Sequence, residues 1–206
     1  MGSAAGKIAL PSGAARRDDG ITLVEVAVST AVMAIAMSIF TTAIVQIFWT
    51  VNKVEALSSA QAQIAIAFQR LDKEVRYASA VSTPAQTGGD FFVEYVLTTL
   101  TTNTCVQLRL RASTGQLMRR TWSKDTATVT PTDWGLLLTG VSSPAPFSVD
   151  AGDTTFTSPT LTISVRVVAG AGATVAHRET AVRIAALNAT ATQTTQTVCS
   201  EGRSIP

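Results

Sequence analysis

From Val26 to Asn52 the chain carries no charged side chain, and Leu, Ile, Val, Ala, Met and Phe fill most positions. A helix of about 20 mainly apolar residues crosses a bilayer, so this run constrains the chain more than any other segment. The apolar block begins at Ile21, and it has one irregularity, the carboxylate of Glu25. A charge placed in lipid is costly and marks a function with a defined partner. The junction reads Arg16-Arg17-Asp18-Asp19-Gly20-Ile21-Thr22-Leu23-Val24-Glu25.

Ordinary readings of this N-terminus account for less of it. A secretory signal peptide has an apolar stretch of about 7–15 residues followed by a small-x-small cleavage site. Here Ala34-Ile35-Ala36 lies inside the run, which continues through Met37 to Phe40. Arg16-Arg17 is like a twin-arginine signal, but two aspartates and a glycine follow it. A plain signal anchor accounts for the apolar run and gives no reason for Gly20 or Glu25.

Gly20-Ile21-Thr22-Leu23-Val24-Glu25 ahead of an apolar helix resembles the class III signal of type IV prepilins and of the pseudopilins of type II secretion. The resemblance implies that a membrane aspartyl prepilin peptidase cuts after Gly20 and methylates the new amine of Ile21. It also implies an assembly role for Glu25, at the family's fifth mature position, with Leu23 at the family's leucine. Ile21 stands where Phe or Met is commoner, and the leader, residues 1–20, is long.

The chemistry of that junction can be stated without the family. Gly20 lets a protease approach an extended backbone closely. Lys7, Arg16 and Arg17 precede the helix, whereas Lys53 is followed by no basic residue until Arg70. That bias puts the N-terminus on the cytoplasmic side and the bulk of the chain outside. Cleavage leaves a positive amine at the end of an apolar helix. In a bundle of such helices that amine and a Glu25 carboxylate neutralise each other, which makes Glu25 a register device. The plainer reading of Glu25 is a helix-start acid favoured by the macrodipole.

The helical pattern continues past the apolar run. Val54, Leu57, Ile64, Phe68, Leu71, Val75 and Ala78 recur in steps of three and four, interrupted at Gln61. Gln63, Gln69, Arg70, Asp72, Lys73, Glu74 and Arg76 take the other face, with Asp72 placed to pair with Arg76. One helix from Ile21 to about Ala78 is expected, on the order of 85 Å long. Its division is residues 21–52 in the membrane or among other pilin helices and 53–80 against a head of residues 81–206.

Beyond Pro84 the period changes to two. Phe91–Leu97, Cys105–Arg111, Gln116–Trp122, Leu161–Val167 and Thr180–Ala186 read as strands, the second and third joined by an Ala112–Gly115 hairpin loop. Gly170-Ala171-Gly172 reads as a turn, with Val182 and Ile184 inward in the strand after it. The expected class is α+β, a long helix laid on an antiparallel sheet, pilin-like in outline. Phe68 to Ala78 also resembles the helix end of minor pilins and of the J-type pseudopilin, which implies a two-part β-region after it.

Composition fits an exported protein: 15% charged residues and a net charge of +2. Catalytic signatures are missing: there is one histidine, and no Gly-x-Ser-x-Gly, P-loop or His-Glu-x-x-His is present. No cofactor and no metal site are expected, since Cys105 and Cys199 are far apart and His177 alone cannot complete a zinc site. Asp150 and Asp153 read as a solvated turn before a calcium loop, and Asn188-Ala189-Thr190 is a chance-prone glycosylation sequon.

Outside the cytoplasm two cysteines pair, so a Cys105–Cys199 disulfide is expected. Strand alternation puts Cys105 with Gln107 and Arg109 on the less buried sheet face, and the Thr-rich tail around Cys199 has no apolar period to hold it. The bridge then acts as a clasp closing a loop of about 95 residues, contributing about 4–5 kcal/mol by chain entropy. Hairpin pairing brings Arg109, Arg111 and Arg120 to one face, either a patch for DNA phosphates or an outer face kept soluble by arginine.

The expected function is that of a minor pilin or pseudopilin, a non-enzymatic subunit that initiates or caps an envelope-spanning filament. Its partners are the prepilin peptidase, other pilins through the N-terminal helix, and the bacterial cytoplasmic membrane, crossed once with the N-terminus inside. Alternatives are a DNA-uptake or adhesive tip subunit, and a membrane-anchored β domain without a filament.

Overall fold

The computed structural model describes residues 20–152, 157–169, 176–190 and 198–205. The leader through Asp19, Asp153, the Gly170-Ala171-Gly172 turn and residues 191–197 of the Thr-rich tail lie outside the described residues. The chain divides into two units, Met1–Ile47 and Phe48–Pro206. Helix α1, Leu23–Arg76, runs through the boundary between them.

In the first unit α1 is apolar and exposed, and its most apolar 18-residue window has a mean hydropathy of 2.1. It is long and apolar enough to span a membrane. Four of its hydroxyls bond within the helix: Thr30 donates to the Ala27 carbonyl (3.0 Å), Ser38 to Ile35 (2.8 Å), Thr41 to Met37 (2.8 Å) and Thr42 to Ser38 (2.8 Å). Back-bonding of this kind leaves these polar groups needing nothing from a hydrocarbon environment.

In the second unit α1 buries Ala60, Ile64, Ala67, Phe68, Leu71 and Val75, a stripe at helical spacing. Val54, expected in that stripe, is 60% exposed. Asp72 and Arg76 form the expected ion pair at 2.6 Å. Glu74, expected on the outer face, instead points into the domain. The helix ends at Arg76 and not Ala78, because Ala78 enters the sheet opposite Leu97.

The strands are β1 (Ala78–Val81), β2 (Ala85–Thr87), β3 (Asp90–Thr98), β4 (Asn103–Arg111), β5 (Gln116–Ser123), β6 (Gly135–Leu138), β7 (Phe147–Asp150), β8 (Thr160–Ala169) and β9 (Ala176–Ala185). A 3-10 helix, Ser200–Ser204, follows. There are two sheets: a six-stranded sheet ordered β1-β3-β4-β5-β6 with β2 also on β3, and a three-stranded sheet β7-β8-β9. All these pairings are antiparallel. The β4–β5 loop is Ala112–Gly115, with Gly115 at φ +62° and packed against the Val141 backbone.

The fold class is therefore α+β, a long N-terminal helix with antiparallel sheets. Val93, Tyr95, Val106, Leu108 and Leu117 from the first sheet share one core with Leu161, Ile163 and Ile184 from the second and with the α1 stripe. Leu71 and Val75 are fully buried, so truncating Leu71 to Ala removes about 2–5 kcal/mol. One polar cluster interrupts that core. Glu74 accepts from the Tyr95 hydroxyl (2.6 Å), from Arg119 Nε (2.9 Å) and from Arg70 Nε (3.0 Å). Burial alone would raise the Glu74 pKa, but these donors outweigh it and hold the carboxyl below its ordinary value. Burial, then the Glu74 charge, push the Tyr95 hydroxyl well above its ordinary value.

Candidate functional site

Two places carry the residues singled out in the sequence. The first is the start of α1. Gly20, Ile21 and Thr22 lie outside the helix, and among the described residues no heavy atom beyond Gly20 and its chain neighbours lies within 4 Å of where a Gly20 Cβ would stand. Ile21 is 74% exposed and Leu23 85%. Thr22 caps the helix: its Oγ1 accepts from the Glu25 backbone N–H at 3.2 Å, and its carbonyl accepts from Val26 N–H. Thr22-Leu23-Val24-Glu25 thus has the Thr-x-x-Glu order of a capping box. The sequence alone carries that signal. The motif sets the first helical residue and places Glu25 in the first turn, where its charge complements the helix dipole.

The second place is the face of the six-stranded sheet that points away from α1. It carries Glu94 and Val96 from β3, Cys105, Gln107 and Arg109 from β4, and Met118, Arg120 and Trp122 from β5, matched in register as Glu94–Gln107–Arg120 and Cys105–Trp122. The sequence reading makes this the less buried face. It is covered: Cys105, Glu94, Gln107, Arg120 and Trp122 are all buried. The cover is the C-terminal segment, whose 3-10 helix crosses the sheet.

Three kinds of contact hold that strap. Cys105 and Cys199 form the disulfide, with Cα atoms 5.8 Å apart. The second contact is ionic and reaches Glu94, which has no solvent exposure. Arg203 Nε donates to Glu94 Oε1 at 3.0 Å, and its Nη2 donates to the Thr83 carbonyl at 2.8 Å. Ser82 Oγ (2.6 Å) and Gln107 Nε2 (2.9 Å) complete the acceptor capacity of Glu94. Third, Arg120 Nη2 donates to the carbonyls of Gly202 and Ile205, each at 2.7 Å, while its Nε donates to Gln107. Trp122 Nε1 donates to Glu201 at 3.1 Å. The tail that had no apolar period is thus held by paired charges and carbonyl contacts as well as by the bridge.

This bears directly on the three arginines. Arg109, Arg111 and Arg120 do share a face, as the register requires. Arg120 is 2% exposed and sits 4.1 Å from the centroid of the Trp134 ring. Arg109 pairs with Asp90 at 2.6 Å and also lies over Trp134. Arg111 is half-buried at the hairpin end. At Arg109 and Arg120 the exposed basic patch expected from the pairing is corrected to a covered network, because the strap and Trp134 occupy the surface that phosphates would need there. Burial, then the Arg109 charge, lower the Arg120 pKa.

Cys105, Cys199 and Glu201 are the group among the described residues whose ligand atoms could gather around a metal ion. The disulfide removes both thiolates, so the residues do not fit one. Asp150 Oδ1 accepts from the Gly152 N–H at 3.1 Å, an ordinary Asx turn. No protein-family model, curated protein or solved structure matches this chain.

Proposed function

We propose that the chain is a minor pilin or pseudopilin, processed after Gly20 and assembled through α1 into an envelope filament. The observation that carries the reading is the junction at Gly20. An exposed glycine and isoleucine, outside regular secondary structure, stand immediately before a capped helix whose first half is predominantly apolar. A peptidase working at the membrane surface needs such unstructured backbone, and a spanning helix needs such a continuation. The basic residues ahead of Gly20 support a cytoplasmic N-terminus and a single crossing of the cytoplasmic membrane. A DNA-binding or adhesive tip has less support, since two of the three arginines that suggested it, Arg109 and Arg120, are occupied by Asp90, Gln107 and the C-terminal strap.

Co-expression with a prepilin peptidase tests the proposal. Intact-mass measurement should find a chain starting at Ile21 with a methylated amine, and a bulky residue in place of Gly20 should block the cut. An intact leader, or a start near Met37, overturns the assignment.

A further inference from the structure

Among the described residues, four of the five outermost strands are short or irregular. β2 has three residues and β7 four, and β1 and β6 have four residues each with a register shift against their neighbours. Such features blunt a sheet edge against pairing. β9 differs: it has ten residues and pairs with β8 without a shift from Ala185 to Ala176. It has no Pro and no Lys.

The direction of its free hydrogen-bonding groups follows from the ladder. Ala186 N–H donates to the Pro159 carbonyl, one step beyond the Thr160–Ala185 pair, and Ser164 N–H donates across the other side of β8 to Pro146. Antiparallel pairing alternates, so the even residues of β9 bond β8, while His177, Glu179, Ala181, Arg183 and Ala185 aim their N–H and C=O groups outward. Among the described residues no backbone group bonds them. The side chains of Glu179, Ala181 and Arg183 are exposed.

We propose that β9 pairs antiparallel with β9 of a second copy of this chain, about a two-fold axis through Ala181. In that register every outward residue meets an outward residue, and Glu179 faces the partner's Arg183 twice, once on each side of the axis. Sliding by one step either way sets Glu179 against alanine and loses both pairs. Glu179 already meets Arg166 of β8 at 3.0 Å, so the joined sheet carries an Arg166–Glu179–Arg183 ladder of alternating sign on that face. An isologous contact of this kind closes on itself and needs no other component. It rests on nothing in the N-terminal motif.

Cysteine scanning of the full chain in detergent, with the native disulfide kept oxidised, tests the register. A hydrogen-bonded antiparallel pair holds Cα atoms about 5.5 Å apart, inside disulfide range. Ala181→Cys should therefore give a reductant-sensitive covalent dimer, and Arg178→Cys, far from its symmetry mate, should not. Arg183→Glu should weaken the dimer roughly tenfold, and adding Glu179→Arg should restore it. Ala181→Pro removes only an outward N–H and should give a monomer that melts like the parent. A folded Ala181→Cys chain that stays uncrosslinked, crosslinking no greater than at Arg178→Cys, or a dimer that survives Ala181→Pro overturns the proposal.

Discussion

Gly202 lies so close against the indole of Trp122 that a Cβ on it would stand 2.5 Å from Cη2. Both are buried, so neither the ring nor the strap has room to yield. Gly202→Ala is expected to destabilise the head by about 1–3 kcal/mol through overpacking. Chemical denaturation followed by tryptophan fluorescence measures this, and an unchanged midpoint would show that the strap shifts freely.

The Arg203–Glu94 pair and the disulfide anchor the same segment, so their losses should compound. Arg203→Met leaves Glu94 buried without its cation and should cost about 3–5 kcal/mol. Replacing Glu94 by Gln in the same chain should recover part of that loss, because no charge is then left unpaired. Opening the disulfide, which spans 94 residues, should remove about 4–5 kcal/mol more. A double-mutant cycle run with and without reductant separates the two terms.

Glu74 makes stability depend on acid. Its native pKa is below its ordinary value, so its contribution is fully present above the ordinary glutamate range and drains away as pH falls below it. Glu74→Gln should therefore melt lower than the parent at neutral pH, with the gap narrowing in acid. A gap that widens as pH falls would contradict the sign.

The two readings of Glu25, charge partner in assembly and acid at the helix start, can be separated. Glu25→Leu should insert into the membrane at least as well as the parent, since it removes a charge from the apolar run. Glu25→Gln preserves the Thr-x-x-Glu/Gln capping pattern but not the charge. If Glu25 neutralises a neighbouring amine, both variants should be recruited poorly into filaments. Normal recruitment of the Gln variant would confine Glu25 to the start of the helix.

The sequence displayed what repeats locally and concealed what pairs at a distance. The Ile64, Phe68, Leu71 and Val75 stripe, the alternation in β3 to β5, and the Gly115 turn all follow from the chain's own period. The short strands β1, β2, β6 and β7 do not, because they exist only where a longer neighbour supplies the ladder. The sheet face bearing Gln107 and Arg120 looked solvated, since alternating polar residues usually are. Its cover, Ser200-Glu201-Gly202-Arg203-Ser204, has no apolar residue to betray burial. Only complementarity between Glu94 and Arg203 reveals it, and no window along the chain contains both. The disulfide was legible from compartment and count, but the burial of Cys105 was not.

The C-terminal strap also sets a timetable. Glu94 waits for Arg203, which follows it by 109 residues, and Arg120 waits for the carbonyl of Ile205. Until then the inner face of the sheet can already close on α1, while its outer face stands open with a bare carboxylate, the Cys105 thiol awaiting Cys199 and an uncovered Trp122. The head can therefore mature only once residue 205 is free to fold back, so the closing of its outer face follows the synthesis of every strand it covers.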